Sequence, residues 1–350
     1  MKKECLLLFC MVLNLLAFGQ EPNIPGSDWT PTTAINGLLY KLNDVTLTAM
    51  VANGNSWEGE LNIPERVIFD GKTYTVDRME WLAFENCRTL TKVKIPKTVE
   101  IIKHYAEYED CKNPFDGCTA LECIEVDKEN QSMCSVGGVL FSKDKMRLYC
   151  YPAGASSKEY TVPDGVKWIG GDAFACNPYI VAVSMPNSVT HLSFGIFSGC
   201  KSLQSVSLPE SINYVAAGTF ENCESLIFLD IPENVSSFAE SVFRWSHIKT
   251  LVIRGNFPEG FRYDTFYNMD DEVVIYVQQS EVEKLKSELK KLKDFSGSVL
   301  PLNLYNATSL PQPSIIPTDH SASYNLQGHR FSGQPQRGGV YIQNGRKVLK

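Results

Sequence analysis

Residues 197–209 read FSGCKSLQSVSLP, and residues 220–232 repeat the same pattern as FENCESLIFLDIP. The first residue of the pattern recurs every 23 positions at four places: Phe174, Phe197, Phe220 and Phe243. A fixed period near 23 residues, with apolar residues at fixed offsets, is typical of a solenoid in which each unit packs only against its neighbours. The function of such a chain is carried by a surface, so its outward-facing residues become the candidates.

The second half of the pattern predicts a short β-strand. In Val206-Ser207-Leu208 a polar residue stands between two apolar ones, and Pro209 then removes a backbone donor. Strands of successive units would pair side by side, with one face on the core and the other in solvent. The outward residues on this face are the candidate binding residues: Lys92, Lys94, Ser184, Ser205, Ser207, Phe228 and Asp230.

The pattern F-x-x-C-x-x-L-x-x-V-x-I-P, which also stands at 84–96 as FENCRTLTKVKIP, resembles the BspA-like leucine-rich repeats of secreted and surface proteins of anaerobic bacteria. The resemblance covers roughly residues 35–300. It implies a curved right-handed solenoid that binds macromolecules, with no catalytic residues to carry over. We therefore expect a leucine-rich repeat solenoid of the α/β type, with one short parallel strand in each unit of about 23 residues.

The first half of the unit supplies side chains for the core. From Phe197 to Leu203 the apolar residues are spaced by three, as in a helical turn or a tight irregular loop. The residues predicted to form the repeated core are Phe84, Phe115, Phe174, Phe197, Phe220, Cys87, Cys118, Cys200 and Cys223. The family resemblance implies that cysteine at this offset, or Asn177 after Phe174, hydrogen-bonds the neighbouring coil.

Two insertions interrupt the period, at 103–112 and at 128–160. In the second, Val139-Leu140-Phe141 and Arg147-Leu148-Tyr149 flank a polar turn and predict a hairpin. Because irregular loops on a rigid scaffold often carry binding residues, Tyr105 and Tyr108 of the first insertion are further candidates.

The chain begins with the features of a secretory signal peptide. Lys2-Lys3 precedes an apolar run from Cys5 to Phe18 and a small-x-small cleavage site that ends at Gly19. This run is shorter than the ~20 residues of a membrane span, and the bulky Phe9 before Cys10 argues against a lipid anchor. We expect an exported protein, secreted or held at the bacterial outer surface or periplasm, with no transmembrane span after signal cleavage.

Composition and pattern changes divide the chain into segments. They are a signal peptide at 1–19, a disordered leader at 20–34, an N-terminal cap at 35–80, the solenoid at 81–278, a capping helix and end strand at 279–304, a linker at 305–323 and a short hairpin at 324–350. A capping box of Ser280 and Glu283 introduces a stripe of helical spacing: Val282, Leu285, Leu289 and Leu292. The final hairpin is also a candidate sorting tail.

The sequence carries no pattern of catalytic or metal-binding residues. The five histidines are scattered, and the H-E-x-x-H, G-x-S-x-G and C-x-x-C patterns are absent. A formal net charge of −7 argues against nucleic acid as a partner. We expect no enzymatic activity, no cofactor and no metal.

A disulfide is expected among the cysteines near the insertions: Cys111, Cys123, Cys134 and Cys150.

Three functions are compatible with these features. The leading one is an exported binding scaffold that recognises a macromolecule, protein or glycan, of the host, the matrix or other bacteria. An alternative is a glycan-binding accessory protein of a polysaccharide-uptake system, in which the outward aromatic residues Phe228 and Tyr276, with Tyr105 and Tyr108, stack on sugars. In the third, the solenoid is a spacer that presents the C-terminal tail.

Overall fold

The computed structural model describes residues 29–103, 113–256, 265–267, 272–291, 297–307, 323–324, 340–343 and 346–349. The repeats form a β-solenoid of about nine turns with parallel, stacked strands, as the repeat pattern predicts. Tyr105 and Tyr108, together with the predicted signal peptide, lie outside the described residues.

The N-terminal part is mainly a sheet. The first six strands are β1 (Thr33–Ile35), β2 (Leu38–Asn43), β3 (Thr48–Val51), β4 (Gly59–Asn62), β5 (Arg66–Phe69) and β6 (Lys72–Glu80). Five of them form a sheet in the order β1-β2-β3-β6-β5. The strands β2 and β3 pair antiparallel as a hairpin, with Asn43 opposite Thr48.

The predicted disordered leader is wrong over its last residues. Trp29 forms a bridge with Asn43, and the guanidinium of Arg78 lies 5.0 Å above the Trp29 ring. The fold therefore begins before residue 35, because a large aromatic side chain finds both a strand edge and a cation to pack against.

Each coil of the solenoid contributes strands to two parallel ladders. The strands are β7 (Leu90–Ile95), β8 (Ile101–Lys103), β9 (Cys123–Val126), β10 (Met133–Val136), β11 (Val139–Ser142), β12 (Arg147–Cys150), β13 (Glu159–Thr161), β14 (Trp168–Ile169), β15 (Ala182–Ser184), β16 (His191–Leu192), β17 (Ser205–Ser207), β18 (Tyr214–Val215), β19 (Phe228–Ile231), β20 (Ser237–Phe238), β21 (Thr250–Ile253) and β22 (Val273–Val277). The first ladder has the strand orders β4-β7-β9, β13-β15-β17 and β19-β21-β22, in which neighbours are paired. The second ladder has the pairs β6-β8 and β18-β20 and the order β12-β14-β16.

The second ladder is an addition to the one strand per unit that the sequence predicts. Its regular members, such as β18, are only two residues long, so the alternation that identifies a longer strand cannot develop in them. The flank with the repeated phenylalanine consists of turns. Asp172 and Cys176, on either side of Phe174, both have positive φ, 56° and 60°.

The predicted column of phenylalanines is confirmed. The ring centroids of Phe174 and Phe197 lie 5.3 Å apart, and Phe220 lies 5.8 Å from Phe197. Tyr151 extends the column, with its ring 5.1 Å from that of Phe174, and it stands 23 residues before that phenylalanine. All of these rings are buried, so the column forms the spine of the core.

The cysteines that follow the repeated phenylalanines form hydrogen bonds to the neighbouring coil, as the family resemblance implies. The thiol of Cys118 donates a hydrogen bond to the carbonyl oxygen of Phe84 at 3.0 Å. Asn177, at the same offset, donates through Nδ2 to the carbonyl oxygens of Pro152 and Ala155 at 3.2 and 3.3 Å. The bonds link successive coils in the interior.

The predicted hairpin of the second insertion is confirmed by the antiparallel pairing of β11 with β12, and β10 adds a third strand. The hairpin stands where the core divides in two, because Leu140 packs with the N-terminal residues while Val139 and Phe141 pack with the repeats beyond it.

The disulfide expected near the insertions is not formed by its described members. Cys123, Cys134 and Cys150 are free thiols, with burial raising the pKa of each.

The C-terminal part contains the helices. A 3-10 turn (Gln279–Glu281) leads into α1 (Val282–Leu289), followed by β23 (Gly297–Pro301), α2 (Leu302–Ala307), β24 (Ser323–Tyr324), β25 (Val340–Gln343) and β26 (Arg346–Leu349). The strand β23 extends the first ladder beside β22, and β24, β25 and β26 form a separate sheet.

Two predictions for this part are corrected. The capping box is wrong, because the 3-10 turn precedes α1 and no side chain caps it, although Val282, Leu285 and Leu289 are buried as predicted. The linker cannot begin at residue 305, because α2 includes the buried Tyr305.

Candidate functional site

The outward side of the first ladder, here called the strand face, carries the sequence-predicted binding residues. Parallel pairing in register stacks equivalent residues of successive coils, so that Ser184 stands between Thr161 and Ser207. Ser205 aligns with Ala182 in the neighbouring row. The face therefore consists of two rows of side chains whose chemistry changes along the solenoid.

The N-terminal zone of the strand face, on β4, β7 and β9, is charged. Lys92 Nζ lies 2.6 Å from Glu125 Oε1, and Lys94 Nζ lies 4.0 Å from Oε2 of the same carboxylate. The hydrogen bond that Lys92 donates to Glu125 raises the pKa of Lys92. Below them is a shallow, open depression of about 350 Å³ that includes Glu65 and Asp127. Because Lys94 and Glu125 are exposed and Lys92 is partly exposed, their ion pairs contribute little to stability and the groups remain accessible to a partner.

The middle zone, on β13, β15 and β17, carries small side chains. Ser184, Ser205 and Ser207 are all partly exposed, and Ala182 is buried beside them. Small side chains protrude little from a sheet, so the backbone of a partner can approach the sheet closely. This is the hydroxyl zone of the strand face.

The C-terminal zone, on β19, β21 and β22, is covered by α2. The ring of Tyr305 lies 6.2 Å from that of Phe228 and 5.2 Å from that of Tyr276. Tyr276 is 5% exposed. The expectation that this residue stacks on a sugar is therefore wrong, because the chain folds back over a face that the strand pattern leaves open. Phe228 is half-buried under the same cover.

Asp230, the remaining candidate of this zone, is already paired. Its carboxylate accepts two hydrogen bonds from Arg254, from Nε at 2.8 Å and from Nη2 at 2.5 Å. Burial raises the pKa of Asp230 in spite of the guanidinium. The pair thus closes one side of the covered zone and is less available to a ligand than Lys94 is.

The first insertion can be placed only by its end, since its tyrosines are outside the described residues. The amide of Asn113 donates to the carbonyl oxygen of Gly171, and Asn113 Nδ2 donates to that of Asp172, both at 3.2 Å. The insertion therefore ends against the coil that contains Phe174.

A second group of residues, absent from the sequence-based candidates, lies on the second ladder. The outward residues Arg147, Trp168 and His191 align in register on β12, β14 and β16, and Tyr214 on β18 follows at the same interval of the repeat. Together they form what we call the aromatic row: Arg147, Trp168, His191 and Tyr214. The rings of Trp168 and His191 stack with centroids 4.6 Å apart and planes 7° from parallel. The last three residues are spaced by 23, so the repeat period was the signal that could have identified them.

The described residues contain no group of three or more His, Cys, Asp or Glu side chains that could hold a metal ion. In the same part of the chain no helix has the length and apolar character needed to cross a membrane.

Comparison with known proteins gives one family match. The model of the BspA type leucine rich repeat region matches in six copies over residues 77–147 and 144–271, which together make up more than half of the chain. No curated protein matches the chain significantly.

Solved structures with similar folds come from several bacteria. A leucine rich cell surface protein of Faecalibacterium prausnitzii has 18% identity and a TM-score of 0.42, with 73% of this chain and 97% of that chain covered. The pneumococcal vaccine antigen PcpA has 18% identity and a TM-score of 0.48, with 77% and 98% covered. A leucine-rich repeat protein of Bacteroides ovatus has 23% identity and a TM-score of 0.41, with 76% and 67% covered.

Proposed function

Because the chain belongs to the family of BspA-type leucine-rich repeat proteins, we propose that it is an exported, non-catalytic scaffold that binds a macromolecule with its strand face. The observation that carries the proposal is the division of that face. Its C-terminal zone is covered by α2, whereas Lys94 and Ser184 in the other zones keep exposed surface.

The chemistry of the open zones suits recognition of a protein surface. The charged zone offers ammonium groups and carboxylates that can exchange partners, and such groups govern specificity and association rate. The hydroxyl zone offers donors and acceptors on a flat sheet. A rigid sheet loses little conformational entropy when it binds, which favours affinity.

The signal-peptide features of residues 1–19 support export. This part of the proposal has its own test. Mass spectrometry of the protein recovered outside the cytoplasm is expected to find a mature N-terminus at Gln20. An intact Met1 in all recovered protein would refute cleavage.

The binding experiment uses the mature chain and its variants in a pull-down with purified host-matrix and bacterial surface proteins. The double variant Ser184→Arg/Ser207→Arg introduces bulk into the hydroxyl zone and is expected to abolish saturable binding. The matched control Ser236→Arg, at an exposed serine between the two ladders, is expected to retain it. No saturable partner for the unmodified chain, or equal loss in both variants, would contradict the proposal.

A second candidate function, glycan binding, is favoured by the aromatic row rather than by the strand face.

A further inference from the structure

We propose that the aromatic row is a binding site for a linear acidic polysaccharide. The row lies on the second ladder, so the inference does not depend on the function proposed for the strand face. It rests on three features of the row: its order, its charge and its period.

The row is ordered before any ligand arrives. Trp168 is enclosed on both sides, with the guanidinium carbon of Arg147 4.6 Å from its ring centre and the imidazole of His191 stacked at 4.6 Å. Thr190 Oγ1 lies 2.8 Å from His191 Nδ1, which fixes that ring and leaves the other ring nitrogen to meet a ligand. Side chains that are fixed in advance lose little entropy on binding.

The surroundings of the row are cationic on a protein whose net charge is −7. Lys145 and Lys167 are exposed next to Arg147 and Trp168, and within the described residues neither lysine has an ion-pair partner. Asp144 stands in the same turn as Lys145 and stays ionised, because the hydrogen bonds that Ser142 Oγ and the amide of Met146 donate to its Oδ1, at 2.6 and 2.9 Å, lower its pKa. Its single negative charge is outnumbered by the positive charges of Arg147, Lys145 and Lys167. The local charge therefore complements an anionic ligand.

The regular spacing of the side chains in the row favours a polymeric ligand. Parallel strands place one outward side chain in each coil, about 4.8 Å from the next. A ligand that uses several of these side chains must present similar groups at a regular interval along a line. An acidic polysaccharide does so, with one charged group and one C–H face per sugar, and Tyr214, which is 43% exposed, offers aromatic surface to that face. A folded protein partner has no such repeat.

Isothermal titration calorimetry on the mature chain tests the inference with defined probes. Polygalacturonate carries a carboxylate on every sugar, its fully methyl-esterified form keeps the backbone without the charge, and dextran sulfate compares with dextran in the same way. Binding to polygalacturonate or dextran sulfate, but not to the neutral counterparts, is the expected result. No binding to either acidic probe, or equal binding to charged and neutral forms, would overturn it.

Variants locate the site. Tyr214→Ala is expected to weaken binding about tenfold, the effect of losing one good contact. Trp168→Ala is expected to weaken it by a similar factor, because it removes the ring on which Arg147 and His191 are ordered. Trp245→Ala is the matched control, because Trp245 is 39% exposed and stacks under Arg244, 3.9 Å away, on a different flank. Because Tyr214 is at the surface, its variant tests the site even if Trp168→Ala fails to fold. Full affinity in Tyr214→Ala would overturn the assignment.

Two further binding measurements distinguish this site from the strand face, and an acidic polysaccharide from a nucleic acid. Ser184→Leu/Ser207→Leu, which adds uncharged bulk to the hydroxyl zone, is expected to leave polygalacturonate binding unchanged, and loss of binding there would move the glycan to the strand face. A single-stranded polynucleotide is expected to bind more weakly than polygalacturonate. Stronger binding of the polynucleotide would replace the polysaccharide with a nucleic acid.

Discussion

The thiol of Cys200 donates a hydrogen bond to the carbonyl oxygen of Phe174, 3.0 Å away in the preceding coil. The same bond recurs one coil later, from Cys223 to Phe197 at 3.2 Å. All four residues are buried, so neither carbonyl can turn to water instead. The repeated cysteine is thus a link between coils, and burial raises the pKa of the Cys200 thiol to about 12, which keeps it protonated and able to donate.

Cys200→Ala is expected to reduce the free energy of unfolding by about 1–3 kcal/mol, because it leaves a buried carbonyl without a donor. Cys200→Ser restores a donor and should recover part of the loss. Urea unfolding followed by circular dichroism measures both. Cys176→Ala is the control, since Cys176 is only half-buried and lies outside the cysteine column. An equal loss in the control would show that the bond contributes nothing.

Phe197→Ala is expected to cost about 3–5 kcal/mol, the usual cost of truncating a fully buried phenylalanine. Its ring lies between those of Phe174 and Phe220, so the cavity would interrupt the column at its centre. Phe197→Leu fills most of the space and should cost less than the alanine variant. A loss below about 1 kcal/mol for Phe197→Ala would mean that the coils relax into the cavity.

The core columns could be read from the sequence because each coil must bury one large side chain at the same place. Phe197 and Cys200 repeat for that reason. Tyr151 fills the place of the phenylalanine with a different residue, and a pattern written in residue letters does not recognise this exchange. The exchange of cysteine for Asn177 was recognised through the family resemblance. Packing requires a side chain of a certain volume with certain hydrogen bonds, and more than one type of residue can meet that requirement.

The functional surfaces could be predicted only in part. Strand alternation correctly assigned the outward side of Lys94 and Ser184, since the period of a strand fixes which side a residue faces. The cover over Tyr276 was not predictable, because α2 has six residues and its position depends on tertiary packing against that tyrosine. The aromatic row was missed because outward residues of two-residue strands follow no apolar pattern.

Gly195→Ala is expected to destabilise the protein more than Gly165→Ala. Both glycines have positive φ, 62° and 92°, so both variants strain the backbone by about 1–2 kcal/mol. At Gly195 the added Cβ would also overlap Oδ1 of Asp172, whereas nothing lies within 4 Å of a Cβ at Gly165. Thermal and urea unfolding compare the two variants. Equal losses would mean that Asp172 moves aside freely.

Tyr305→Ala is expected to uncover the C-terminal zone of the strand face without disturbing the middle of the solenoid. Tyr305 packs on Phe228 and Tyr276, and coils contact only their neighbours, so the effect should remain local. Hydrogen exchange measured by mass spectrometry should show faster exchange in β21 and β22 and unchanged exchange in β14 and β16. Leu304→Ala, at an exposed position of α2, is the control. Faster exchange throughout the solenoid would contradict a local cover.

Alkaline pH is expected to destabilise the fold through buried tyrosines, and Tyr40 gives the sharpest test. Burial raises the pKa of Tyr40 to about 12, against about 10 for an unfolded tyrosine. The folded state therefore holds this proton more tightly than the unfolded state does. The resulting stability is complete below pH 10 and is lost as the pH rises through 12, with about 1.4 kcal/mol lost at pH 11.

Tyr40→Phe removes the part of this pH dependence that arises from Tyr40. The hydroxyl of Tyr40 is buried without a hydrogen-bond partner among the described residues, so the variant should be at least as stable as the parent at pH 8 and more stable at pH 11. Urea unfolding at both pH values measures the difference, with Tyr179→Phe as a control at an exposed tyrosine. A Tyr40→Phe variant that is less stable at pH 8, and loses as much as the parent between pH 8 and 11, would show that the hydroxyl is hydrogen-bonded and that the alkaline loss arises elsewhere.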